Sequence, residues 1–381
     1  MNEASAAATA QEPGPPFRVR PGLIDTTDEN ALGLPQAESA ETVTIFAPGE
    51  QDLKFNHGVV LMPFQGRLYA QWQSSARDED APGTIVTYAI SDDGTTWSPP
   101  VPLTAPHPDR EITSGGWWTD GSTLVAYLNV WPQGLDPEGG YTEYVTSTDG
   151  HTWSRPKPVT DAEGNPVPGI IEQDTRALPS GRLLTAFHVQ PGLFVKPYYT
   201  DDPLGLTGWR PGQLVNEPNE AGTQSRELEP SWYLRADGAI VMVFRDQAGE
   251  SMVKLAAVST DEAQTWTAPV RTNVPDARTK QSAGNLPDGT AYLVGHPTGR
   301  RARYPLTVLL SADGITFDVG YTLRSTETLQ DRRYTGQYKG AGYSYAKSVL
   351  AGDWLYVTYG TNKEDAELTR VPVADLSLRG G

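Results

Sequence analysis

The sequence predicts an all-β protein, a single β-propeller of six four-stranded antiparallel blades, and three observations predict it. Gly (38) and Pro (32) make up about a fifth of the 381 residues without a collagen-type repeat, so they read as many turns. Ten Trp and 17 Tyr supply large surfaces to bury, and there is no Cys to build a disulfide framework. A short motif recurs at nearly constant spacing. A unit of roughly 40–55 residues repeated around an axis is a propeller blade.

The motif occurs as Ser91-Asp-Asp-Gly-Thr-Thr-Trp97, Ser147-Thr-Asp-Gly-His-Thr-Trp153, Ser259-Thr-Asp-Glu-Ala-Gln-Thr-Trp266 and Ser311-Ala-Asp-Gly-Ile-Thr-Phe317. The copies start 56, 112 and 52 residues apart. The middle gap is two periods, which predicts a degenerate copy near residue 203. Thr200-Asp-Asp-Pro-Leu-Gly-Leu-Thr-Gly-Trp209 fills it. Asp followed by Gly makes a tight turn, with the Asp carboxylate accepting from nearby backbone N–H groups. The aromatic that follows is expected to pack between neighbouring sheets.

Each copy is preceded by two strands and a tight turn. Blade 1 reads Val59–Phe64, Gln65-Gly66, then Arg67–Gln73. Blade 2 turns at Asp120-Gly121 from Trp117-Trp118 into Thr123–Asn129. Blades 3, 4 and 5 turn at Ser180-Gly181, Asp237-Gly238 and Asp288-Gly289. Blade 6, Tyr343–Val373, turns at Ala351-Gly-Asp353 and lacks the Asp motif; strand Thr42–Phe46 is expected to complete it and close the ring. A seventh, irregular blade is left open by Tyr321–Gly340 or by the N-terminal stretch. The domain reading is an irregular or disordered lead over 1–40, the propeller over 41–376, and a tail over 377–381.

Lys plus Arg is 30 and Asp plus Glu is 47, a net charge of −17. That excludes broad electrostatic binding of nucleic acid or of anionic membranes. No apolar window is long enough for a transmembrane helix. The N-terminus has neither basic n-region nor apolar h-region. The location is therefore cytoplasmic, or secreted with the signal absent from this sequence. A monomer is expected.

Blade geometry locates a site. The Asp motifs and first turns share one face, so residues just before the first strand and just after the second surround the channel mouth on the other. Before the first strands come His57, Glu172, Glu229, Lys280, and Tyr343 with Tyr345. After the second strands come Trp72 with Arg77 and Asp80, Trp131, His188, Arg245, and His296 with Arg303. His107 and His151 fall elsewhere. Carboxylates, cations, imidazoles and indoles together suit an acidic sugar. Aromatics stack on its faces, Arg clamps its carboxylate, and His or Tyr moves protons.

The motif Ser-x-Asp-x-Gly-x-Thr-Trp resembles the Asp-box of sialidases and related propellers. Glu-Leu-Glu229-Pro through Phe-Arg245-Asp resembles the segment carrying their catalytic Glu and second carboxylate-binding Arg. Arg303-Tyr-Pro-Leu-Thr-Val resembles their Arg before an Asp-box, and Ala-Gly-Tyr343-Ser the strand of the tyrosine nucleophile. Asp78 or Asp80 stands where the acid/base loop falls. The first blade departs: Phe55-Asn-His57-Gly-Val-Val stands where sialidases have Arg-Ile-Pro. There His57-Gly, Gly66-Arg-Leu-Tyr-Ala-Gln-Trp72 and Asp78-Glu-Asp-Ala-Pro-Gly83 resemble the propellers that cleave L-rhamnose-α-1,4-D-glucuronate, relatives of the ulvan lyases. Ulvan lyases carry two tandem histidines, and the second is Gly58 here.

That resemblance implies β-elimination on an acidic oligo- or polysaccharide. Arg245 would clamp the carboxylate and His57 would act as base. Tyr343 or His188 would be the backup proton donor, and Trp118 or Trp131 would stack on the sugar. An exo-sialidase (or other glycosidase) using Tyr343 and Glu229, and a non-catalytic glycan-binding propeller, are the alternatives. No cofactor is required, no metal-ligand spacing of the His-x-x-x-His type occurs, and structural calcium remains open.

Overall fold

The computed structural model describes residues 14–134, 139–217, 222–249, 251–376 and 378. Residues 1–13 of the lead, and all of the 377–381 tail but residue 378, lie outside the described residues. Six antiparallel sheets follow one another along the chain. Blade 1 runs Phe55–Phe64, Arg67–Ser75, Ile85–Ser91 and Val101–Pro102 from channel to rim, and blade 2 runs Arg110–Thr119, Leu124–Pro132, Tyr141–Ser147 and Lys157–Pro158. Blade 3 has its inner edge split into Gly169–Ile171 and Arg176–Ala177, both paired with Leu183–Val189. Blades 4 and 5 begin at Glu227–Leu234 and Ser282–Asn285. Blade 6 holds Tyr343–Ala351, Trp354–Thr361 and Asp365–Pro372, and its outer strand is Glu41–Phe46. The N-terminal strand thus closes the ring as expected, with Glu41 opposite Arg370. The stretch Tyr321–Gly340 forms no seventh blade: Val319–Arg324 is the outer strand of blade 5 and a short 3₁₀ turn, Thr326–Thr328, follows.

Burial explains the ring. Apolar side chains run almost continuously along strands such as Ile240–Asp246 and Leu124–Pro132, so each sheet is apolar on both faces and must be covered on both. Six buried clusters result, one in each gap between neighbouring blades. The gap between blades 6 and 1, where the ring closes, is filled by Val59, Leu61, Trp72, Tyr356 and Leu368. Residues of the lead cover the gap between blades 4 and 5, where Phe17, Val19 and Leu34 are buried. Arg18–Val19 pairs in parallel with Thr316–Phe317.

The Asp motifs form the expected turns. Asp93 Oδ1 accepts from the Thr95 and Thr96 amides at 2.7 Å each, and Ser91 Oγ accepts from the Gly94 amide. These donors hold the Asp93 carboxyl well below the usual carboxylate range. In the degenerate copy Asp202 Oδ2 accepts from the Leu206 and Thr207 amides. The following aromatics pack inward: Trp209 is fully buried, and Trp153 lies 5.9 Å from Trp117. These turns lie at the face opposite the pocket described next.

Candidate functional site

Four inner strands carry the same irregularity. Pairing with the second strand slips between His57 and Val60, Ser114 and Gly116, Leu228 and Ser231, and Ser344 and Lys347. Each slip contains a residue of positive φ: Gly58 (66°), Gly116 (89°), Glu229 (49°) and Tyr345 (57°). Such bulges re-aim side chains. Gly suits the first two positions: a Cβ on Gly58 would lie 3.1 Å from the Gln173 amide nitrogen. Glu229 and Tyr345 hold the left-handed conformation at a cost that the packing around them must meet.

Both re-aimed side chains line a pocket of about 260 Å³ at the channel mouth. Its floor and walls include Glu172, His188, Arg245, Lys280, Trp131 and Asp80. It opens into a wider cleft of about 860 Å³, and Glu79, Asp80, Arg245 and Tyr345 line both.

Tyr345 is the centre. Its hydroxyl accepts from Arg245 Nη1 at 3.5 Å. Arg245 Nη1 is also 2.6 Å from Glu229 Oε2. Lys280 Nζ lies 4.9 Å from the ring centroid and the Arg303 guanidinium 5.4 Å. The His57 ring packs on the other side at 4.2 Å. Burial pushes the Tyr345 phenol up, with Glu229 adding to it. For Glu229 burial opposes ionisation, but Arg245 and Lys280 outweigh it and hold the carboxyl below its usual range. Burial likewise opposes ionisation of Glu172, yet Lys280, at 2.6 Å, and Lys347 bring it down to about 2. His57 and His188 are pushed down by burial first, so both are neutral imidazoles near pH 7. The group can therefore hold an anion against fixed cations and offer a phenol, a carboxylate and neutral imidazoles for proton transfer.

Of the residues expected from sequence, Asp80, Trp131, Glu172, His188, Glu229, Arg245 and Lys280 line the pocket, and Arg303 lines the adjoining cleft. Trp131 donates its indole N–H to Thr113 Oγ1 at 2.9 Å, which fixes its ring on the pocket wall. His57 sits behind Tyr345, its Nε2 3.8 Å from Glu79 Oε1. Arg77 is exposed beside Asp78 and does not line the pocket. Four expectations need correction. Tyr343 is buried in the core between blades 5 and 6, its hydroxyl donating to the Ser325 carbonyl at 3.0 Å. Trp72 is buried between blades 6 and 1, donating to Asn56 Oδ1. Trp118 lies at the Asp-motif end of its strand, where it donates to the Pro203 carbonyl. His296 is tied through Nδ1 to the Pro305 carbonyl at 2.9 Å and points away from the pocket.

Sequence reading placed Tyr345 at the channel mouth beside Tyr343 but gave the catalytic role to 343, because strict alternation gives both one face and the likeness fell on 343. Lys363, placed with Asn362 at the channel mouth by blade register, pairs with Glu79 at the pocket edge, and that partner was not expected. The positive-φ bulge leaves no mark in residue type at Glu229 or Tyr345. Among the described residues no group of three or more metal-ligating side chains occurs, and no helix is long and apolar enough to cross a membrane.

Residues 66–357 match the family model described as a BNR repeat-like domain. The chain belongs to that family. No curated protein matches this BNR repeat-like chain in sequence. Solved structures do match it in fold. A protein titled "Sialidase" superposes with a TM-score of 0.65 at 18% identity, over 94% of this chain and 35% of that one. The K499G mutant of NanB sialidase from Streptococcus pneumoniae gives 0.66 at 14%, over 88% and 71%. The intramolecular trans-sialidase from Ruminococcus gnavus, in complex with oseltamivir carboxylate, gives 0.62 at 15%, over 89% and 99%. The BNR repeat-like chain spans about a third of the length of the first of these. At such identities the likeness establishes a sialidase-like propeller fold.

Proposed function

We propose that the protein is a glycan-processing enzyme that cleaves a terminal acidic sugar with Tyr345 as nucleophile. The observation that carries this reading is the Tyr345 hydroxyl accepting from Arg245, itself paired with Glu229, on a strained bulge inside the pocket. Glu229 takes the phenol proton as the oxygen attacks the anomeric carbon. Asp80 gives a proton to the departing oxygen, and water then releases the sugar from the tyrosine. A phenol suits an anionic sugar because it starts neutral, whereas a carboxylate nucleophile would meet like charge. Arg245, Arg303 and Lys280 face the sugar's carboxylate. The names of the sialidase structures that share the fold support the same reading.

Elimination on L-rhamnose-α-1,4-D-glucuronate is the second reading, favoured by one observation. The neutral His57 imidazole stands against Tyr345 where the first-blade arginine of sialidases is absent, which pairs a base with a proton donor. A sialic acid conjugate of 4-methylumbelliferone and gum arabic, followed at ~235 nm for unsaturated uronate, separate the two. Dye release lost in Tyr345→Phe supports hydrolysis. Rising absorbance lost in His57→Ala supports elimination and overturns the first reading. Binding of glycan with neither product overturns both.

A further inference from the structure

The wide cleft beside the pocket has chemistry of its own. Its lining includes six cations, and local ion pairs account for three. Arg245 pairs with Glu229, Lys363 with Glu79, and Lys339 with Glu364. Arg278, Arg301 and Arg303 line it without forming an ion pair among the described residues, although Asp246 and Asp276 act on Arg278 from farther off. Gathering three guanidinia that form no ion pair at one cleft sets like charges together and demands another cause. The crowding is felt: after burial, Arg301 and Arg245 are the causes that push the Arg278 guanidinium down. Arg278 is also held at φ 52°, and its guanidinium donates to the Gln247 carbonyl, which fixes it at the cleft wall.

A second, independent feature stands at the same place. Tyr338, at the rim of the cleft, is 64% exposed, the most exposed aromatic among the large apolar side chains left on the surface. Its φ is 55°, so the chain presents it at a conformational cost. An exposed phenol beside guanidinia is a stacking surface for a sugar ring whose charged group faces the cations. Pocket and cleft share Glu79, Asp80, Arg245 and Tyr345, so a glycan seated in one continues into the other.

We infer that the cleft is a subsite for a second acidic sugar, whose carboxylate or sulfate is read by Arg278 and Arg301 with Tyr338 as its platform. The substrate class is then a polyanionic glycan rather than an isolated acidic sugar on a neutral chain. This rests on reading the pocket as a glycan site.

Calorimetry with tri-galacturonate, monomeric galacturonate and neutral maltotriose tests it. Wild type is expected to bind tri-galacturonate at least about tenfold tighter than the monomer at low salt, the advantage shrinking as NaCl rises. Arg278→Gln and Arg301→Gln should each cut that advantage about five- to tenfold and leave monomer affinity unchanged. Tyr338→Ala should weaken the trimer alone. Equal affinity for monomer and trimer, equal binding of maltotriose, or an advantage intact in both arginine variants overturns the inference. Turnover reports separately. If the trimer advantage persists while no tested glycan is cleaved, the subsite stands and the proposed chemistry falls.

Discussion

Two tyrosines two residues apart have opposite fates, and the difference is one extra residue in a strand. Tyr343 packs against Tyr359 at 5.3 Å in the core, and Tyr345 stands in the pocket. Tyr345→Phe is expected to lower kcat by about a thousandfold or more with little change in melting temperature. Tyr343→Phe should do the reverse: turnover persists, and about 1 kcal/mol is lost with the hydrogen bond to Ser325. Rate assays with thermal melts on both variants decide the assignment. At this scale the sequence was legible where residue type and blade register agree, as for Arg245, Glu172 and Lys280. It misled where a bulge intervenes, since nothing in Ser344-Tyr345-Ala346 signals a positive φ.

Strands and turns were the most legible elements, because each Asp motif combines a local turn with a global period. Even the copy at Asp202, with Thr200 for Ser and Pro203-Leu204 ahead of its Gly, was found by spacing. The turns are worth testing one at a time. In the second copy, Asp149 Oδ1 accepts from the His151 and Thr152 amides at 2.8 and 2.7 Å. Asp149→Ala strands both donors and should cost about 1–2 kcal/mol, read by chemical denaturation, with turnover unaltered because the turn faces away from the pocket. The split inner edge of blade 3 was not legible. There residues 172–175 leave the ladder so that Glu172 and Gln173 reach into the channel, where Gln173 donates to the Gly58 carbonyl and Glu172 meets Lys280. Tertiary ion pairing overrides strand pattern at that point, and periodicity cannot report it.

The whole molecule carries a charge of −17 yet keeps some ionisable groups out of water, which makes its stability depend on pH. Glu227 is fully buried, and burial outweighs the Asn216 amide that donates to it, raising its pKa from 4.5 to about 7. A raised carboxyl contributes stability below about pH 4.5, where both states are protonated, and loses it as pH rises through 7. Glu227→Gln keeps the acceptor for Asn216 without the charge. Its gain in stability should be of order 2 kcal/mol larger at pH 8 than at pH 5, read by melts at both. Equal gains would mean that Glu227 is ionised without cost. His296 works in the opposite sense. Burial brings it to about 4, so its contribution is complete above about 6.5 and is lost toward 4.

The strand Glu41–Phe46 pairs with Asp365–Pro372, more than three hundred residues later in the chain. Ribosomal synthesis delivers the first partner long before the second exists. Blades 1 to 5 can assemble vectorially as they emerge, each on the one before. Blade 6 cannot, because its outermost strand is made before blade 1. Between those events the early strand is an unpaired edge, and its sequence Glu41-Thr-Val-Thr-Ile-Phe46 is β-prone. Ring closure therefore waits for Asp365–Pro372 and is the last pairing among the six blades. A circular permutant that moves residues 41–46 behind Pro372 would let all six blades form in order of synthesis.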